Sequence, residues 1–203
     1  MNCRVLVIIL FSLVCVTAKA QEWAFELWHD GKMVLTTGDT LKGLIKYDLQ
    51  QDLVQYNNKK GNIQAYTARK VLFFEIFDNT IDQYRQFYAL PYDASTGYRA
   101  PVFFELLAEG KMTLLTRESL EYRSYSSPYY YGSYSRLVLV YKYYLLEENG
   151  TIVEFVGKKA ELMTLMGKRA NAVEDYIKQN KLKIDDRDDF AKIIAYYNSF
   201  FKT

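Results

Sequence analysis

Glycine-centred turn dipeptides recur along residues 23–156 and punctuate brief runs of alternating apolar residues. Such punctuation leaves antiparallel hairpins as the building unit. Asp30-Gly31 separates the run 23–28 from 33–36, and Gly38-Asp39 turns the chain into 40–47. Gly61-Asn62 joins 53–56 to 63–66, Glu109-Gly110 joins 102–107 to 112–116, and Asn149-Gly150 joins 137–146 to 152–156. The expectation is an antiparallel meander of about ten strands, either a twisted sheet or a partly closed barrel.

Beyond Val156 the period changes. Ala160, Met163, Leu165 and Met166 suggest a short helix stopped by Gly167, and a second helix follows from about Ala172. Phe190, Ile193, Ile194, Tyr197 and Phe201 then recur at helical spacing, giving a last helix with one apolar stripe. Strands followed by two to three C-terminal helices define an α+β class. A β-rich part (21–156) and a helical part (157–203) read as one domain, because the final helices are too few to bury their apolar faces alone. Within the sheet, Leu137 to Tyr141 is apolar on both faces and reads as a sandwiched strand. The run 23–28, interrupted by Glu26, suits an edge.

Residues 1–20 read as a cleavable secretory signal peptide: Arg4, an apolar run 5–16, then Ala18-Lys19-Ala20 with small residues at −3 and −1, placing cleavage before Gln21. The apolar run is about a dozen residues, short of the roughly 20 a membrane-spanning helix needs. A lipoprotein site at Cys15 is disfavoured by the bulky Leu13 and Val14 before it. The reading is an exported protein of the periplasm, the outer-membrane surroundings or the exterior, with no transmembrane helix in its mature chain. Both cysteines, Cys3 and Cys15, leave with the leader, which removes disulfides, thiol nucleophiles and thiolate metal sites. Arg4 and Lys19 leave too, so 26 basic residues become 24 against 24 acidic. A formally neutral chain offers no electrostatic footprint for nucleic acid.

Candidate chemistry is sparse. Glu75 and Glu105 each sit in an aromatic run, Leu72 to Phe77 and Val102 to Leu107. Aligned on facing strands they could form an acid–base carboxylate pair of the glycosidase kind; on period-two alternation each would merely occupy the wetter face, opposite Phe74 or Phe104. The segment 122–136 is rich in tyrosine, serine and glycine, a composition that serves adaptable recognition, and Tyr125, Tyr129, Tyr130, Tyr131 and Tyr134 are its candidate contacts. A hairpin tip that binds nothing would have the same composition. The lone histidine, His29, stands beside the Asp30-Gly31 turn, too isolated for a dyad or a metal site. No nucleophile elbow, phosphate loop or H-E-x-x-H run occurs, and nothing implies a cofactor or a metal. Asp185, Asp186, Asp188 and Asp189 crowd the start of the last helix, where capping accounts for them. Asn149-Gly150-Thr151 doubles as a glycosylation sequon and a tight turn, and turn chemistry suffices.

Asp30-Gly31, the stretch from Gly38-Asp39-Thr40-Leu41 through Gly43 and Ile45 to Tyr47, and Val71 to Glu75 together resemble small secreted proteins frequent in Bacteroidota. Those proteins share a D-G turn, a G-D-T-L-x-G-x-I strand pair and a later aromatic strand. The resemblance covers about a third of the chain. It implies an envelope or secreted setting and transfers no catalytic residue or ligand.

These readings converge on a non-enzymatic envelope or secreted module that binds a protein or glycan partner through the tyrosine segment. The alternatives are a carbohydrate-binding or glycoside-hydrolysing protein using Glu75 and Glu105, and an outer-membrane-associated barrel. The barrel fits poorly, because the short runs 53–56 and 63–66 are flanked by Lys59, Lys60, Arg69 and Lys70.

Overall fold

The computed structural model describes residues 23–58, 61–93, 97–126 and 132–201; residues 1–20, expected to form a leader, and Tyr129, Tyr130 and Tyr131 lie outside them. Ten antiparallel strands form one open sheet in the order β10-β9-β8-β7-β6-β5-β1-β2-β3-β4. They are β1 (His29–Leu35), β2 (Thr40–Asp48), β3 (Leu53–Asn57), β4 (Ile63–Thr67), β5 (Val71–Asp78), β6 (Gln83–Tyr92), β7 (Ala100–Ala108), β8 (Thr113–Ser126), β9 (Ser133–Leu146) and β10 (Ile152–Phe155). Three helices follow: α1 (Lys159–Met166), α2 (Ala170–Asn180), continuous with α1 through a 3-10 turn, and α3 (Arg187–Ser199). The α+β architecture and the strand count match the turn spacing.

The order departs from a pure meander at one step. β4 lies at the sheet edge, yet β5 pairs with β1, four strands away. Only residues 68–70 connect them, and the Lys70 N–H bonds back to the Thr67 carbonyl at 2.9 Å. Four flat strand steps would span about 19 Å, while three linking residues reach about 14 Å. The first five strands must therefore curl, and the curl wraps Met33, Ile45, Tyr47, Val54, Val71 and Phe74 into a core shared with Phe87 and Phe103.

A second core lies where the helices cover the other end of the sheet. Phe190, Ile193, Ile194 and Tyr197 of α3 pack with Leu162, Met166, Val173 and Ile177 of the preceding helices against Leu114, Tyr143 and Phe155. The apolar stripe of the last helix holds, except that Phe201 is 45 % exposed. Asp186 caps α3, its carboxylate accepting from the Asp188 and Asp189 amides at 3.1 and 3.0 Å. Asn198, at the far end of α3, clasps the β7–β8 turn. Its amide oxygen accepts from Met112 N–H at 2.8 Å, and its nitrogen donates to the carbonyls of Met112 and Glu109 at 2.8 and 3.3 Å.

Three local expectations are corrected. Residues 23–28 form no edge strand: Ala24–Glu26 is a 3-10 turn, with the Glu26 carboxylate accepting from the Trp23 N–H at 3.1 Å. Asp30-Gly31 is not a turn but the interior of β1, where Gly31 faces Gly43 across the β1–β2 pair. A Cβ at Gly31 would stand 2.2 Å from the Glu75 carbonyl oxygen, so this glycine serves close approach rather than reversal. The third concerns Leu137 to Tyr141, which is half-exposed rather than sandwiched, since β10 pairs only with residues 143–146 of β9. Burial on both faces falls instead on β7, through Phe103, Phe104 and Glu105, and on the start of β8, through Leu114, Leu115 and Thr116.

Candidate functional site

Register decides what the two glutamates can do. Glu75 pairs across β5–β6 with Gln86, whereas Glu105 pairs across β6–β7 with Phe87. Gln86 and Phe87 are consecutive in one strand, so the glutamates point to opposite faces of the sheet. On its face Glu75 takes a hydrogen bond from Gln86 at 2.8 Å and an ion pair from Lys32 at 3.0 Å. The Gln86 amide, aided by Lys32, holds its carboxyl below the ordinary range. The structure therefore does not assemble the acid–base pair, and the hydrolase arrangement falls with it.

Nor is Glu105 on a wet face. Its carboxylate is buried between two arginines: Arg85 donates to it twice, from Nε at 2.9 Å and Nη2 at 2.8 Å, and Arg187 at the start of α3 donates to the same carboxylate. Arg85 also reaches Asp78 at 3.2 Å and Glu118. These five groups sit between the two hydrophobic cores and tie β5, β6, β7 and β8 to α3. Burial alone would raise the Glu105 carboxyl, but the two guanidinium groups outweigh it and hold it below its usual value. Asp78 is likewise held low against burial by Thr80 and Arg85. Glu118 goes the other way, because burial and then the charge of Glu105 outweigh its single arginine contact.

A cleft of about 270 Å³ opens above this cluster, with Ile81, Tyr141, Asp186 and Arg187 among its walls. Four of the acids that line it are engaged: Asp78 by Thr80 and Arg85, Glu118 by Arg85, Asp186 by the α3 amides and Asp188 by Arg187. With Glu105 shared between Arg85 of β6 and Arg187 of α3, the cluster fastens the helix to the sheet. Composition gives no hint of it, since Arg85, Glu105 and Arg187 stand 20 and 82 residues apart. His29 is also structural. Its ring nitrogens face the carbonyls of Ala24 at 2.7 Å and Phe77 at 3.2 Å, which pins the 3-10 turn to the end of β5.

The tyrosine segment is placed quite differently. β8 pairs with β7 only as far as Thr116, then continues against β9 alone to the Ser126–Ser133 pair. Residues 117–126 and 133–142 therefore form a two-stranded ribbon that leaves the sheet. Period-two alternation sorts its side chains into two faces. One carries Tyr122, which is 77 % exposed, with Leu137 opposite. The other carries two cross-strand pairs, Arg123 with Arg136 and Tyr125 with Tyr134. The tyrosine rings stack at 5.6 Å and 22°, and the Arg136 guanidinium lies 5.6 Å from the Tyr125 ring centre. Tyr125 and Tyr134 are thus brought together. Among the described residues no group of three or more histidine, cysteine or carboxylate side chains is arranged to hold a metal.

Comparison with family models, with curated proteins and with solved structures finds no match to this chain.

Proposed function

We propose that the protein is an exported, non-enzymatic binding module of the bacterial envelope or its surroundings, and that the β8–β9 ribbon is its recognition element. The observation that carries this reading is the contrast between the two charged regions. Inside, acids and arginines pair with one another, and of the cluster's buried polar atoms only Arg187 Nε lacks a partner among the described residues. On the ribbon, the exposed side chains of Tyr134, Arg123 and Arg136 project from a strand pair that beyond Thr116 pairs with no further strand among the described residues. A bare two-stranded ribbon is marginally stable in water, and exposed aromatic side chains on it suit contact with a partner. Export is supported by the leader-like residues 1–20.

Glycan binding is the form of this reading that stacked tyrosines favour, with no hydrolytic step. A membrane-spanning barrel gains no support, because the open sheet leaves β4 and β10 as edges whose backbone groups a bilayer would not satisfy. Among the described residues no helix is long and apolar enough to cross a membrane.

The test is a glycan panel screened with the purified protein and with the Tyr125→Ala/Tyr134→Ala variant, both matched for unfolding midpoint. Binding that the variant loses supports the ribbon as the site. Binding that the variant retains overturns it, and no binding by either protein overturns its glycan form.

A further inference from the structure

Arg123 and Arg136 are directly opposed on one face of an antiparallel pair. Like charges in that position destabilise a ribbon, and both side chains are exposed. Among the described residues neither has a carboxylate within ion-pairing distance. The other cations on this face are already taken, Lys142 by Glu121 at 3.4 Å and Arg117 by Asp52 at 3.2 Å. One unneutralised pair of guanidinium groups thus stands beside a tyrosine stack whose outer member, Tyr134, is 59 % exposed.

Resting on the ribbon as the recognition element, we propose that this face binds an acidic polysaccharide through its uronic-acid residues. Cβ atoms of directly opposed residues lie about 5 Å apart, so the two guanidinium groups can converge on a single planar carboxylate with the fork geometry arginine prefers. A pyranose carrying its carboxylate on the ring places an apolar C–H face a few ångströms from that charge. The Tyr134 ring, one alternate position along the strand, offers the electron-rich surface such C–H groups prefer. The anion also relieves the repulsion between the arginines. Nucleic acid fits this face less well, because its affinity comes from a track of phosphate contacts and the cations that would extend the track are engaged by Asp52 and Glu121.

The probe is a defined oligogalacturonate, titrated calorimetrically against a neutral oligosaccharide of equal length, poly-glutamate and a single-stranded oligonucleotide. The proteins are the wild type, the Arg123→Gln/Arg136→Gln variant and, as a distant charge control, Lys178→Gln. The expected result is oligogalacturonate binding that weakens with salt, falls about tenfold or more in the double variant and persists in the control. The double variant should also unfold at or above the wild-type temperature, since it removes a repulsion. Three outcomes overturn the inference: no oligogalacturonate binding by the wild type, equal binding of the neutral oligosaccharide with the double variant unaffected, or tighter binding of poly-glutamate or the oligonucleotide. Tyrosine-dependent binding elsewhere in the glycan panel alongside any of these would leave the ribbon reading standing and sink the uronate alone.

Discussion

Glu105 and Glu118 are both carboxyls in contact with Arg85, yet they make opposite contributions to the fold. Glu105 answers two buried arginines, so Glu105→Gln leaves both guanidinium charges short of compensation and should cost about 3–5 kcal/mol in urea unfolding. The pH dependence separates the two residues further. Glu105 and Asp78 lie below their unfolded values in the fold. The stability they contribute is fully present above the unfolded carboxylate pKa, near ~4, and is lost as pH falls through the folded values. Glu118 lies above its unfolded value, so the fold holds that proton more tightly, and stability declines as pH rises from the unfolded to the folded pKa. Glu118→Gln should therefore gain stability relative to the wild type as pH is raised from 4 towards neutrality. Unfolding curves at a series of pH values check this, and a variant that loses stability relative to the wild type as pH rises would refute it. Asn198→Ala is the third residue-scale case. It strips the Met112 amide and two carbonyls of their partner and should cost about 1–3 kcal/mol.

At the scale of elements, the ribbon and the sheet should be separable. Leu120 and Leu139 are cross-strand partners, so replacing residues 121–138 by Asn-Gly closes β8 and β9 with a tight turn at the root of the ribbon. Stability should change by less than about 1 kcal/mol, while ligand binding is abolished; a large loss of stability would mean that the ribbon is part of the fold. Gly31→Ala should do the reverse, forcing β1 from β5 at a cost of about 1–3 kcal/mol and leaving the ribbon untouched. These elements also mark how far the sequence could be read. Gly61-Asn62, Glu109-Gly110 and Asn149-Gly150 are legible as turns because reversal is a local property. Asp30-Gly31 is spelled like a turn, but its glycine answers to the Glu75 carbonyl about forty residues away, a contact no local pattern encodes. For the same reason Glu105 reads as a surface residue until Arg85 and Arg187 are placed beside it. Tyr125 and Tyr134 are legible as members of one tyrosine-rich segment, but their pairing depends on the β8–β9 register, which composition does not encode.

Across the whole molecule, the two larger apolar cores share one sheet with a smaller cluster of Phe104, Leu115 and Tyr144, and β7 serves both of the larger ones: Phe103 belongs to the curled end and Ala108 to the helix-covered end. The arginine–carboxylate cluster bridges the space between. Phe74→Ala in the first core and Phe190→Ala in the second should each cost about 3–5 kcal/mol, and both should shift the same cooperative transition. Two transitions that move independently in the two variants would show separate folding units.

The three-residue passage from β4 to β5 also has a consequence for timing. β1 finds its first neighbour, β2, within a few residues, but its second, β5, begins only at Val71. A chain that emerges from its N-terminus must therefore hold one flank of β1 unpaired while two further hairpin strands are laid down, and only then can β5 slot into place. Closure over that separation is slow relative to hairpin formation. The interval before β5 arrives is when the nascent chain is most exposed to mispairing, and when a holding chaperone would matter most.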